Sequence, residues 1–152
     1  MSAQGLETLD HTVQLTHMWI NELDGHLDWK DRARSYRLLK AVLHALRDTL
    51  QVNEAVDLGA QLPVLLRGAY YEQWRPAATP VKDRSIEGFL ARVNESFRRD
   101  PLASAPAAVM AVFQLLAKKI SEGEMEDVRR SLPEQVRSIW PGSGKPPRGV
   151  RH

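Results

Sequence analysis

The sequence predicts an all-α protein: a duplicated four-helix unit forming a single bundle of about eight helices with pseudo-twofold symmetry. Three observations predict it. Apolar residues recur at steps of three and four along most of the chain, no stretch alternates with a two-residue period, and the chain matches itself when slid by 70 positions.

The first helix is read from Leu6, Leu9, Val13, Ile20, Leu23 and Leu27, with Thr16 filling the one gap. The stripe is narrow and heptad-like, which suggests a coiled-coil partner; Met18 and Trp19 widen it, which favours burial in a globular core. Gly25 leaves the helix end open. A second helix begins near Asp31 and carries Tyr36, Leu39, Val42, Leu43, Leu46 and Leu50 on one face, with Arg34, Arg37, His44, Arg47 and Asp48 opposite. Asn53 is read as the N-cap of a short third helix through Gln61, with Glu54 in its positive first turn. A fourth helix starts at about Leu62, places Pro63 in its first turn, and runs to the aromatic cluster Tyr70, Tyr71 and Trp74. The prolines at 76 and 80 make the following segment a connector. Helical spacing resumes at Ile86, Phe89, Leu90, Val93 and Phe97.

The self-match is ungapped. Trp19 falls on Phe89, Ile20 on Leu90, Leu43 on Phe113, Leu46 on Leu116, Glu54 on Glu124 and Tyr70 on Trp140. The residues that define the repeat are Asp57, Leu62, Pro63 and Arg67 in one copy, and Asp127, Leu132, Pro133 and Arg137 in the other. Apolar positions of two helical segments align by chance at some offset; a proline, an aspartate, a glutamate and an arginine in one register do not. Residues 1–141 are therefore read as one helical domain of two repeats (about 6–74 and 82–141), followed by a flexible basic tail, 142–152. Each half is too small to bury its own apolar face well.

Local roles follow from the alignment. Ser131 and Glu134 have capping-box spacing, Gly123 takes the place of Asn53, and Asp57 with Arg67, like Asp127 with Arg137, is spaced for a charge-assisted tie between the third and fourth helices. The segment Pro106–Lys119 is apolar on nearly every side, so it is expected in the middle of the body, with its first-copy equivalent nearer the surface.

Composition narrows the function classes. Apolar residues make up 43% and charged residues 26% of the 152, which argues against wholesale disorder. The absence of cysteine removes disulfides, thiolate nucleophiles and iron–sulfur clusters. No apolar run approaches the roughly 20 residues of a membrane span, and the N-terminus has no secretory pattern. A cytoplasmic protein is expected. The formal charge is +2, and much of the basic excess lies at Lys145, Arg148 and Arg151 in the tail.

The runs Ala41–Leu50, Gln61–Pro76 and Leu132–Trp140, with their Leu-Pro steps and Tyr-Tyr-x-x-Trp element, resemble the bacterial family known as domain of unknown function 2267. The resemblance covers about Thr12 to Trp140. It implies an all-helical bacterial protein and brings no activity, substrate, cofactor or catalytic residue.

Motifs with a reaction in them are absent. There is no Gly-x-Ser-x-Gly and no glycine-rich phosphate loop. His17, Glu22 and His26 share a helix, but the second copy places Glu87, Arg92 and Ser96 there, so no symmetric metal site results. Glu124, Glu126 and Asp127 read as a solvated helix start. The basic stripe Lys30, Arg34 and Arg37, which Arg47 would extend, is partly neutralised by Asp28, Asp31 and Asp48, which disfavours nucleic acid. Tyr70, Tyr71 and Trp74 are read as packing at the junction between copies. Together Lys30, Arg34, Arg37, Tyr71 and Trp74 are the candidate partner surface. The expected function is a non-enzymatic binding or scaffolding module with an unknown protein partner or a second copy of itself, and with no cofactor, metal or catalytic residue. The alternative is a small-molecule or lipid-binding bundle with a pocket between the repeats.

Overall fold

The computed structural model describes residues 4–141. The tail read from 142–152 lies outside the described residues. Eight α-helices and a 3-10 turn account for the regular structure, and no strand occurs among the described residues.

Helix α1 (Gln4–Leu27) runs straight through Gly25. Its apolar stripe divides in two. Thr16, Trp19, Ile20 and Leu23 are buried, whereas Leu6, Leu9, Val13 and Met18 are exposed. Burial of the whole stripe in a globular core, which the sequence favoured over a coiled-coil partner, is corrected here: the end of α1 before Thr16 carries the stripe past the main core, and Met18 does not widen its buried part. Helix α2 (Arg32–Thr49) starts where Asp31 accepts a hydrogen bond from the Arg34 N–H (3.0 Å). Helix α3 (Val52–Ala60) follows with Gln51 at the N-cap, making no side-chain bond. Asn53 is thus inside the helix and not its cap. In the second half the equivalent cap is Ser121, which accepts from the Glu124 N–H (3.2 Å) and opens α7 (Glu122–Ser131), so Gly123 is likewise one position inside.

Both Leu-Pro steps turn a corner. Leu132 is extended and Pro133 sits at the N-cap of α8 (Glu134–Arg137); Pro63 holds the same place before α4 (Val64–Tyr71). A residue before proline is driven out of the helical region, so the preceding helix must stop. Ser131 consequently ends α7 and bonds back to the Asp127 carbonyl (2.9 Å). It cannot reach forward to cap α8, and the capping-box expectation fails for that reason.

After α4 the chain passes through the turn Pro76–Ala78 and a cis Thr79–Pro80 bond. The connector is pinned to the end of α2, where Val81 N–H donates to the Asp48 carbonyl and Arg84 to the Thr49 carbonyl (2.8 Å each). Helix α5 (Ile86–Glu95) is capped by Ser85, and α6 (Ala105–Lys119) by Ser104. Phe97 falls in the turn after α5 and is still buried.

The packing partners cross between halves. Helix α1 lies on α2, α4 and α6; α5 lies on α6, α8 and α2; α2 meets α6, and α3 meets α7. One core results, with Leu39, Val42, Leu43 and Leu46 of α2 facing the same interior as Val109, Val112, Phe113 and Leu116 of α6. Each fully buried aliphatic side chain of this kind contributes about 1.5–3 kcal/mol. The expectation that α2 would lie nearer the surface than α6 is overturned: α2 buries Ser35, Arg47 and Thr49 as well as its apolar residues, while α6 leaves Ala107, Ala117 and Lys118 exposed. Polarity misled the reading because Arg47 is buried, and Arg34 and Arg37 are partly covered where they bind another part of the chain.

Candidate functional site

Arg34 and Arg37, one turn apart on α2, both reach Asp100 in the α5–α6 turn. Arg37 makes a two-pronged contact (2.7 and 2.8 Å), and its guanidinium lies 4.7 Å from the Phe97 ring centre. Arg34 donates to the same carboxylate and to the Asp100 carbonyl, and its guanidinium lies over both the Trp29 (4.9 Å) and Phe97 (5.0 Å) rings. Such stacked, bidentate geometry is particular to arginine. Arg37 holds the Asp100 carboxyl below its ordinary range. Two of the three cations of the candidate partner surface are therefore spent on an internal clasp between the halves. Lys30 is exposed beside it, at positive φ.

Arg47 does not extend that stripe. It is buried, donates to the Tyr70 and Glu72 carbonyls (2.8 Å each), and pairs with Asp48 (2.9 Å). Nearby His44 bonds the Ala69 carbonyl (2.7 Å), and burial lowers its pKa. Tyr70 is fully buried and donates to the Ala55 carbonyl (2.6 Å), while Tyr71 stacks on Trp74 (5.5 Å, 23°) and touches α3 at Gly59. The core role expected for Tyr70 holds, but the hydrogen bonds of the cluster run to α3 of its own half and not across to the other. Arg67 donates to the Gly59, Ala60 and Leu62 carbonyls, satisfying the end of α3. Asp57 is not among its partners, so the expected Asp57–Arg67 tie is replaced by a carbonyl clamp.

Asp57 belongs to a different group. Ligand atoms of Glu54, Asp57 and Glu124 lie within 4.8 Å of one another where α3 meets α7. Glu54 Oε1 and Glu124 Oε2 are buried without a hydrogen-bond partner. Burial, then the charge of Glu54, pushes the Glu124 carboxyl up to about 8; burial also raises Glu54. Two adjacent carboxylates cannot both ionise cheaply, so the pair holds a proton. Oxygen-only donors of this kind suit a hard divalent cation. Sequence reasoning treated Glu124 as solvated and missed the group, although its signal was present: Glu54 aligns with Glu124, and Asp57 with Asp127, under the 70-residue shift. His17, Glu22 and His26 form no such group among the described residues; Glu22 is paired with Lys119.

Two grooves flank the α2–α6 core. The first, between α1 and α6, is walled by Leu23, Leu115, Ala111 and Pro141, with Glu22, His26, Gln114 and Lys118 at its rim (about 330 Å³). It continues past His26 and Ala111 into a slot of about 210 Å³ lined by Leu27, Trp29, Leu102 and Ala107. The second, between α2 and α5, is lined by Ala41, His44, Ala45, Arg47, Asp48, Arg92 and Ser96 (about 240 Å³). Add 70 to Ala41, His44, Ala45, Arg47 and Asp48, subtract 70 from Arg92 and Ser96, and the lining of the first groove is recovered apart from Leu23 and Pro141; Glu95 of the second groove has no counterpart. One groove is apolar and the other charged. Glu54, Asp57 and Glu124 do not line the apolar one.

These features define an all-helical protein whose described residues include no helix long and apolar enough to cross a membrane. A family model described as an uncharacterized conserved protein (DUF2267) matches residues 16–139, and the chain belongs to that family. No curated protein matches it.

Proposed function

We propose that this protein is a non-enzymatic helical binding module, built from a duplicated four-helix unit and acting in the bacterial cytoplasm. The observation that carries the reading is the outer end of α1. Leu6, Leu9 and Val13 continue the heptad steps of the buried stripe while remaining 52%, 60% and 39% exposed. The Leu65 N–H donates to Thr12 Oγ1 (3.0 Å), setting the exposed Val64 and Leu65 beside the same end of α1. An apolar seam that outruns its own core is a surface for another helix, and the simplest partner is the same seam on a second copy. The duplication is supported by the ungapped self-match, the crossed helix contacts and the two grooves related by 70 residues. The cysteine-free composition accords with a reducing compartment.

Sedimentation equilibrium over a wide concentration range tests this. The wild-type chain should self-associate, and Leu6→Glu with Leu9→Glu should leave a folded monomer. A wild-type chain that stays monomeric throughout overturns self-association. A second reading, a small-molecule or lipid-binding bundle, is favoured by the apolar trough between α1 and α6, which lies between the proposed repeats.

A further inference from the structure

We propose that the α1–α6 trough binds a single-chain carboxylate amphiphile, its alkyl chain along Ala111 and Ala107 and its headgroup at Lys118. This ligand class rests on the small-molecule reading of the trough and adds the nature of the headgroup and the width of the occupant.

The molecule supplies its own comparison. The position matching Ala107 is Arg37, which lies just beyond the α2–α5 groove and crosses to Asp100 with its guanidinium over the Phe97 ring. Ser104 likewise stands where Arg34 stands. At these two positions α2 thus carries long side chains tied to Asp100, and α6 carries short ones where the slot lies beside Trp29 and Leu102. The slot, about 210 Å³, has room for a single alkyl chain and not for a helix, which is about 10 Å across. The walls agree: Leu23, Ala111, Leu115 and Pro141 give the trough an apolar lining, which favours an apolar occupant.

Charge sets the headgroup. Glu22, the carboxylate on the rim, is neutralised by Lys119 at the end of α6. Lys118, on the same rim, has no acidic partner among the described residues. The open cation at an apolar groove favours an anionic head, partly desolvated and so worth more than a pair in open water.

The test is titration calorimetry of the full chain with laurate and with dodecyltrimethylammonium, each below its micelle concentration, and with phosphatidylglycerol vesicles. Laurate should bind once per chain and at least about tenfold more tightly than the cationic amphiphile. Lys118→Glu should erase that preference. Ala107→Arg, at an exposed position, should weaken both amphiphiles while leaving the thermal melt unchanged. Equal binding of both headgroups overturns the charge assignment but leaves the trough as a site. Laurate binding untouched by Ala107→Arg overturns the location. No binding of either amphiphile overturns the small-molecule reading itself, and association with vesicles without laurate uptake overturns the free carboxylate as ligand.

Discussion

Glu54 and Glu124, seventy residues apart, face each other where α3 packs on α7, and each keeps a buried oxygen without a hydrogen-bond partner. Their other neighbours are acidic too: Asp57 and Asp127 add to the repulsion. The nearby Tyr70 hydroxyl donates its hydrogen bond to the Ala55 carbonyl instead.

A pH dependence follows. Between the ordinary glutamate value of 4.5 and about 8, the folded protein holds a proton on Glu124 that the unfolded chain has released. Stability therefore falls as pH rises through this window and is flat above it. Glu124→Gln, neutral at every pH and able to donate to Glu54, should flatten the fall and raise the melting temperature on the alkaline side. Parallel melts of wild type and variant from about pH 5 to pH 9 check it; parallel slopes would count against the shared proton.

Asp100 works in the opposite sense. The Arg37 contact depresses its pKa, so its contribution is present above the unfolded-state value of 3.8 and is lost as pH drops through the folded one. Asp100→Asn should weaken the protein at neutral pH and shrink the acid-side loss. Because the clasp is solvent-exposed, the effect should be small, as for other surface pairs; acid titration followed by circular dichroism measures it.

Arg47 should prove far more sensitive. Its removal strands two carbonyls and the Asp48 carboxylate around a 5%-exposed side chain, a change of about 2–4 kcal/mol. Arg47→Lys should recover little, since an ammonium cannot span three acceptors held by a planar fork. Urea denaturation of Arg47→Met and Arg47→Lys gives both numbers.

Gly59 tests the packing under the aromatic cluster. Glycine to alanine inside a helix ordinarily gains about 0.5–1 kcal/mol. Here the added carbon would sit 2.3 Å from Tyr71 Oη and 3.0 Å from the Tyr70 ring. Overpacking of that kind costs about 1–3 kcal/mol, so Gly59→Ala should be net destabilising. Tyr71→Ala in the same chain should recover part of the loss, and a double-mutant cycle reads out the coupling.

How far the sequence carried these conclusions depends on the residue. Leu39, Val42, Leu43 and Leu46 declared a buried helix by spacing alone, and the Leu62-Pro63 and Leu132-Pro133 steps announced two corners, because proline sterics are local. Leu6, Leu9 and Val13 follow the same spacing, yet nothing local reveals where the opposing surface stops. Arg34, Arg37 and Arg47 looked like solvated charge; their partners, Asp100 and the carbonyls of residues 70 and 72, are distant in sequence. Glu54 and Glu124 were matched by alignment, but matching says that two residues are equivalent, not that they meet.

The crossing of α1 onto α6 also governs how the chain can be made. Glu22 and Lys119, joined across that contact, are 97 positions apart. A nascent polypeptide can set α1 against α2 and α4 as soon as these exist, but the side of α1 that meets α6 waits until residue 119 has been made. Closure of the α1–α6 contact should therefore be a late event in synthesis, and a chain halted before α6 should keep that apolar side open to chaperones.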